Sequence, residues 1–216
     1  MAFKGWPVDA IEFFEGLEAD NSKGYWQEHK DVYEQKVKAP MEVLLAELAP
    51  EFGAGKIFRP YRDVRFSKDK SPYKTNIAAT MEHGGYISLS SDGLGVGTGY
   101  YMMMPDQLER FRQAIDDDKT GGALEKLVAA ARNTQIEVNA HDALKTAPKG
   151  YAKDHPRIDL LRQKGLISWK QWPVAAWLGT AQAKKKVVDF LHAAQPMNDW
   201  LDKNVGPTTM EGGWTR

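Results

Sequence analysis

Sixteen consecutive residues near the middle of the chain, residues 59–74, carry the side chains best suited to hold an anion. This basic segment has three Arg and three Lys against two Asp, a formal charge of +4 in a chain of zero net charge. Guanidinium and ammonium groups bind the oxygens of phosphates and carboxylates. The predicted ligand contacts are Arg59, Arg62, Asp63, Arg65, Ser67, Asp69, Lys70, Tyr73 and Lys74. The segment predicts oxyanion binding and indicates no particular reaction.

Two interpretations of the basic segment remain open. If residues 61–66 are extended, Asp63 and Arg65 lie on one face, and a bidentate pair between them orients the guanidinium for a ligand. Alternatively the segment is a structural ion-pair network, in which Arg62 pairs with Asp69 and Arg65 with Asp63. Because two acidic groups cannot neutralise six basic ones, the composition favours a ligand.

A second polar cluster lies on a loop bracketed by Pro148 and Pro156. Histidine is the side chain best suited to proton transfer near pH 7, so His155 is a candidate for that role. Alternatively Asp154 or His155 caps a helix that begins near Pro156. The residues of this possible second site are Lys149, Tyr151 and His155.

Composition excludes several classes of site. The chain has no Cys, which excludes disulfides, thiolate metal sites and cysteine nucleophiles. Its five His show no metal-ligand spacing, so we predict no metal, and the sequence indicates no cofactor. Equal numbers of acidic and basic residues argue against a general polyanion binder. The N-terminus resembles no signal peptide and no apolar run approaches the ~20 residues a bilayer needs, so we expect a cytoplasmic protein without membrane contact.

The pattern of apolar residues predicts helices, then consecutive strands, then helices again. The first helices are expected at 7–19 and 24–38, with Pro40 interrupting before a third. Strands with short links follow, at 56–66, 75–82 and in a hairpin around residues 91–93. Gly121 and Gly122 are expected to end a helix that starts near Asp106, and later helices include one over 172–180. This order predicts an α+β fold whose antiparallel sheet spans about residues 56–104, flanked by N-terminal and C-terminal helices. No flexible linker is visible, so residues 1–216 are predicted to form a single domain.

Glycine occupies every second position from Gly93 to Gly99 in the last predicted strand. Alternate residues of a strand share one face, so this face has no side chains. Glycine weakens a strand, and four in register indicate close approach by another group. A bound ligand would explain the pattern, and a packed helix or aromatic ring explains it better.

Four stretches together resemble one known family. They are R-D-V-R-F-S-K-D-K-S-P-Y-K-T at 62–75, F-F-E-G-L-E-A-D-N at 13–21, G-Y-Y-M-M-M-P-D-Q-L-E-R-F-R-Q-A-I at 99–115 and L-K-T-A-P-K-G-Y-A-K-D-H-P at 144–156. They are similar to a bacterial and fungal family called domain of unknown function 2461. The resemblance covers nearly the whole chain and implies one domain, but it implies no activity. Pro60 departs from the expected apolar strand residue, which places Arg59 at a strand edge or bulge.

Two functions fit these observations. In the first, the basic segment holds a phosphorylated or carboxylated small molecule, with turnover possible. In the second, it binds the backbone of a nucleic acid or an acidic protein partner. Binding to a nucleic acid backbone should weaken steeply with salt, and an enclosed small-molecule site should respond less.

Overall fold

The structure is a computed structural model that describes residues 2–65 and 67–211. Its α-helices are α1 (Val8–Ala19), α2 (Lys23–Val32), α3 (Ala39–Phe52), α4 (Pro105–Asp116), α5 (Asp118–Asn133), α6 (Ile158–Leu161) and α7 (Gln182–Asn204). Its strands are β1 (Gly55–Ile57), β2 (Asn76–Met81), β3 (Gly85–Ser90), β4 (Gly93–Tyr100), β5 (Glu137–Asn139) and β6 (Leu166–Trp172). Within the described ranges, no helix has both the length and the apolar character needed to cross a bilayer.

The strands form one antiparallel sheet in the order β1-β2-β3-β4-β6-β5. Helices precede and follow the central strands, which confirms the α+β class. The sheet also includes β5 and β6, which lie beyond the expected range of about residues 56–104. β6 shows the alternation typical of a strand, because Leu166 and Ser168 are buried and Ile167 and Trp169 are less so.

The chain divides into two compact units. Of the described residues, the first unit comprises 2–96 and Gln171–Asp189, and the second comprises Gly97–Lys170 and 190–211. In the first unit, the predicted apolar stripe of α1 is buried, with Ile11, Phe14 and Leu17 at most 5% exposed. The prediction of a single domain over residues 1–216 stays a prediction.

The core of the second unit combines residues from helices and strands. Its buried cluster comprises Tyr100, Met103, Phe111, Ile115, Leu124, Val128, Leu161, Leu166, Met197, Trp200, Leu201 and Val205. Phe111 and Ile115 come from the predicted apolar face of α4, and both are fully buried. This periodic face explains why the start of α4 was predictable from sequence.

Pro40 does not interrupt the helical run, contrary to the sequence-based expectation. A π-helical turn, Tyr33–Lys38, links α2 to α3, and Pro40 lies in the first turn of α3. In the π turn the N–H of Ala39 bonds to the carbonyl of Glu34, five residues earlier. This wider turn accommodates a residue that has no N–H of its own, so the helix continues past the proline.

Two other predicted elements were wrong. Gly121 and Gly122 do not end α4, since they lie in the first turn of α5. The side chain of Asp117 caps α5 by accepting the N–H of Thr120 at 2.8 Å, which starts a new helix before the glycines. The helix expected over 172–180 is a short 3-10 turn, Ala176–Gly179, after β6.

An aromatic ring covers the glycine face of β4 at Gly97. A side-chain Cβ at this position would lie 2.8 Å from Cε3 of Trp169, closer than real Cβ atoms approach other heavy atoms. The opposite face of the strand is buried, as Leu94 and Val96 show. At Gly97 the glycine therefore makes room for a packed ring, as the sequence favoured.

We expect Gly97→Val to lower the free energy of unfolding by about 1–3 kcal/mol, because the new side chain must displace the Trp169 ring. Urea unfolding measures the change. Gly122→Ala is the matched control, because no atom lies within 4 Å of its added Cβ and alanine favours a helix. Valine suits strands, so an unchanged or higher stability of Gly97→Val would show that the ring does not restrict this face.

Candidate functional site

The basic segment leaves the sheet after β1 and returns to it at β2. Tyr61 and Tyr73 face each other in a single antiparallel bridge, and the flanking backbone groups are hydrogen-bonded at 2.8 and 2.9 Å. The strand predicted over 56–66 is wrong beyond Ile57. Pro60 has no N–H for a ladder, so regular pairing stops and the segment forms a loop closed at its base.

An asparagine from the turn between α1 and α2 holds the base of this loop. The side-chain amide of Asn21 donates to the carbonyl of Tyr73 at 3.2 Å and accepts its N–H at 3.0 Å. The Tyr73 ring stacks on Trp26, with centroids 4.3 Å apart and planes 6° apart. These contacts join two of the motifs identified in the sequence, residues 13–21 and the end of the basic segment.

The tyrosines near the base of the loop are poorly suited to act as proton acceptors. Burial, followed by the charges of Glu34 and Glu42, raises the pKa of Tyr33 to about 12. Burial, followed by the neighbouring Tyr61, raises the pKa of Tyr73. Near neutral pH both hydroxyls are therefore protonated.

The two ion pairs anticipated from the sequence are both present. Nε and Nη2 of Arg65 donate to the two carboxylate oxygens of Asp63 at 2.9 and 2.6 Å, and Arg62 pairs with Asp69. Hydrogen bonds from Arg65 lower the pKa of Asp63. The side chain of Arg65 is 76% exposed, so this pair adds little to stability.

The other four cations of the segment make no ion pair with a carboxylate in the described part of the chain. They are Arg59, Lys68, Lys70 and Lys74. Lys70 donates to the carbonyl of Val64 at 2.9 Å, and Lys68 is exposed. Arg59 and Lys74 belong to the base of the loop, where the chain rejoins the sheet. The excess positive charge of the segment is therefore not neutralised within it.

The pKa of Lys74 is lowered. This residue is half-buried, and burial, followed by the positive charge of Arg59, accounts for the lowered pKa of its ammonium. Its Nζ lies 5.4 Å from the ring centroid of Phe58. Two cations near each other at a partly buried position are unfavourable unless an anion joins them.

The remaining predicted contacts are spread along the exposed part of the loop. Ser67 is exposed, and Asp69 accepts the N–H of Ser71 at 2.9 Å. Phe66, which the sequence placed among the aromatic residues of the segment, lies outside the described residues. The convergence of Arg62, Arg65, Lys70 and Lys74 on one anion stays a prediction. Asn21 and Phe58, which the sequence did not identify, belong to the same surroundings as Tyr73 and Lys74.

The second cluster forms a structural arrangement around His155. Its Nε2 lies 3.1 Å from a carboxylate oxygen of Asp116, and its Nδ1 accepts the N–H of Arg157 at 3.0 Å. The latter bond lies before α6, whose N-cap residue Arg157 has no side-chain capping bond, so the capping role offered as an alternative from sequence is wrong. Burial, followed by the charge of Asp116, raises the pKa of Tyr151. Lys149 is exposed and none of these contacts involves it. Both nitrogens of His155 therefore have partners that hold the ring in place.

Two concave surfaces occur in the second unit, and neither is lined by a predicted site residue. One, of about 450 Å³, is lined by Arg132 and residues 135–139 along the edge strand β5. The other, of about 160 Å³, lies between α5 and α7. Across residues 2–65 and 67–211, no group of three or more His, Asp or Glu is placed to hold a metal ion.

Comparison with known proteins gives a family without an assigned activity. A family model described as "Conserved hypothetical protein (DUF2461)" matches residues 9–200. A solved structure, "Conserved hypothetical protein Pfu-178653-001 from Pyrococcus furiosus", is similar at 14% identity, with 78% of this chain and 98% of that chain covered and a TM-score of 0.37. A comparison with curated proteins found no match.

Proposed function

The chain belongs to the DUF2461 family of conserved hypothetical proteins, and from that premise we propose that it binds a phosphate or carboxylate group of a small molecule at the base of the basic segment. Arg59 and Lys74 are the proposed primary contacts. The other donors are proposed to come from the loop, namely Arg62, Arg65, Ser67 and Lys70. Asp63 and Asp69 are proposed to orient Arg65 and Arg62 rather than to contact the anion, and Tyr73 to position Lys74. We place this binding in the cytoplasm and assign no bond-making or bond-breaking step to it.

The observation that carries this proposal is that Lys74 is half-buried beside Arg59 and makes no ion pair with a described carboxylate; its lowered pKa agrees with this placement. A lysine placed for stability is expected to have a carboxylate nearby, which would raise its pKa. Lys74 instead has Arg59 nearby and is partly buried. Asp63 is close enough to Arg59 for their charges to interact, but its carboxylate already pairs with Arg65, so an anion between Arg59 and Lys74 would offset both costs.

Two features support contacts from the loop. The Asp63 carboxylate fixes the guanidinium of Arg65, which leaves that cation oriented at low entropic cost. Asn21 and Trp26 fix Tyr73, which precedes Lys74 in the chain. A ligand would therefore contact a pre-organised loop base and the exposed remainder of the basic segment.

Exposure of the loop favours a second candidate, binding to a nucleic acid backbone or an acidic protein. Residues 67–70 are all exposed and include Lys68 and Lys70. Salt separates the candidates, because contacts to a phosphate backbone release counterions and weaken steeply between 50 and 200 mM salt. A small ligand held mainly by Arg59 and Lys74 should bind with a much weaker salt dependence.

We expect inorganic phosphate to raise the melting temperature of the wild-type protein. At ten times its Kd, binding to the folded state alone adds about 1.4 kcal/mol, or roughly 3–5 °C. Lys74→Met should keep the melting temperature of the free protein, because it removes a half-buried charge that has no described carboxylate partner, and should lose most of the response. Thermal unfolding at constant ionic strength measures both quantities.

Lys185→Met is the matched control, because it removes a surface charge that already pairs with Asp189 at 2.7 Å. This control should respond to phosphate as the wild type does. An equal response of all three proteins would overturn the proposed site. Arg65→Ala should weaken binding while costing little stability, since its pair with Asp63 is exposed.

A further inference from the structure

An exposed aromatic ring lies beside the proposed anion site. Phe58 follows β1, and its N–H donates to the carbonyl of Ala78 at 2.9 Å, so its backbone is fixed to the sheet. The residue is nevertheless 39% exposed. Phenylalanine is usually buried, and an isolated exposed ring needs no explanation. The position of this ring beside unneutralised cations is what makes it informative.

Two cations and a second aromatic ring lie near Phe58, either in space or along the chain. Nζ of Lys74 lies 5.4 Å from its ring centroid, and Arg59 is the next residue in the chain. The ring of Tyr86 lies 6.4 Å away at a tilt of 40°. Tyr61, three residues further along, is 50% exposed. Flat apolar surface and positive charge therefore occur together on one short stretch of chain.

We propose that the anion held at Arg59 and Lys74 is the phosphate of a nucleotide, whose base stacks on Phe58. This proposal rests on the proposed function and adds the chemical class of the ligand. Every nucleobase has a π-face that stacks on an aromatic side chain, and the phosphate attached through the sugar is the group that Arg and Lys bind. The ring contacts Lys74 and Tyr86, and a simple phosphate would use the cations without covering the ring's remaining exposed surface.

The same chemistry could come from a free nucleotide or from single-stranded nucleic acid. Phe58 and Tyr61 are three residues apart, so their Cα atoms are separated by at most about 10 Å. Both rings are exposed, and two bases of one strand could use them as successive platforms. A free nucleotide needs only Phe58, whereas a strand uses Tyr61 as well.

The test compares four probes by calorimetric titration of the full chain: inorganic phosphate, ribose 5-phosphate, adenosine monophosphate and a single-stranded pentanucleotide. Wild type should bind adenosine monophosphate roughly ten-fold more tightly than ribose 5-phosphate, as expected for one stacked base. Phe58→Leu should abolish this difference and should change the affinity for phosphate less, because Arg59 and Lys74 remain. Phe58→Trp should restore it, because the larger ring also stacks. Tyr101→Leu, which removes an exposed ring in the second unit, should leave all affinities unchanged.

The outcomes distinguish the nucleotide proposal from the anion-binding proposal on which it rests. Binding of phosphate with equal affinities for ribose 5-phosphate and adenosine monophosphate would overturn the nucleotide and retain the anion site. No binding of any probe would overturn both. If the pentanucleotide binds more tightly than the mononucleotide, with a loss in Tyr61→Leu and a steep salt dependence, the nucleotide belongs to a single strand. If the mononucleotide binds equally well and Tyr61→Leu has no effect, the ligand is a free nucleotide.

Discussion

Trp26→Ala is expected to lower the free energy of unfolding by about 3–5 kcal/mol, the usual range for removing a buried large aromatic side chain. Trp26 is only 5% exposed. Its ring stacks on Tyr73 and lies within 5.8 Å, centroid to centroid, of Phe13 and 4.8 Å of Tyr33. Removing it leaves a cavity among three other rings and takes away the surface on which Tyr73 rests. The same substitution should therefore weaken the response to phosphate.

Urea unfolding gives the stability loss, and Trp177→Ala serves as the control. Trp177 is half-buried and lies under the ammonium of Lys186 at 4.9 Å, so its removal should cost clearly less and leave the phosphate response intact. Trp26→Phe keeps a ring against Tyr73 and should recover part of both effects. A loss below about 1 kcal/mol for Trp26→Ala would mean that the cluster contributes little to the core.

The parts of the site that were predictable from sequence depend on near neighbours. Asp63 and Arg65 are two residues apart, and Arg62 and Asp69 are seven apart, so their charges alone suggested the pairs that the structure shows. The helices were predictable for a similar reason. Apolar periodicity is a local signal, and the buried face of α1 follows it.

The parts that were missed depend on contacts between distant residues. Asn21 and Tyr73 are 52 residues apart, and nothing near Asn21 in sequence indicates that its amide binds a backbone there. The strand expected to continue to residue 66 stops at Ile57, because Pro60 lacks a donor and the charged residues after it bond to one another. β6 was missed because its two tryptophans fit a helix and a strand equally well.

Nothing near Arg157 in sequence indicated its structural role either, and this residue gives the second prediction of a large effect. We expect Arg157→Met to lower the free energy of unfolding by about 2–4 kcal/mol. The side chain is 8% exposed, its Nε donates to the carbonyl of Ile115 at 2.6 Å, and Nη2 donates to the carbonyl of Asp116 at 2.9 Å. Both carbonyls belong to the last turn of α4, where the helix has no N–H donors of its own for them. Leaving buried acceptors without a donor costs about 1–3 kcal/mol each.

Close packing supports the expected size of this effect. A Cβ on Gly121 would lie 2.7 Å from Nε of Arg157 and 2.1 Å from the carbonyl oxygen of Ile115, so glycine allows the guanidinium and the helix end to approach. Arg157→Lys keeps the charge but cannot reproduce the planar fork. It should therefore recover only part of the loss in urea unfolding. A full recovery would show that charge alone matters, and the bidentate geometry would then have no role.

Arg157 and Lys74 should respond to the same substitution in opposite ways. Arg157 has carbonyl and carboxylate partners that satisfy it, so replacing it with methionine should cost stability and spare the phosphate response. Lys74 is beside another cation and makes no ion pair with a described carboxylate, so its replacement should spare stability and remove the response. Measuring both variants with and without phosphate distinguishes a cation that stabilises the fold from one that binds a ligand. If Lys74→Met were as unstable as Arg157→Met, the charge at the base of the segment would be structural, and the argument for an anion there would fail.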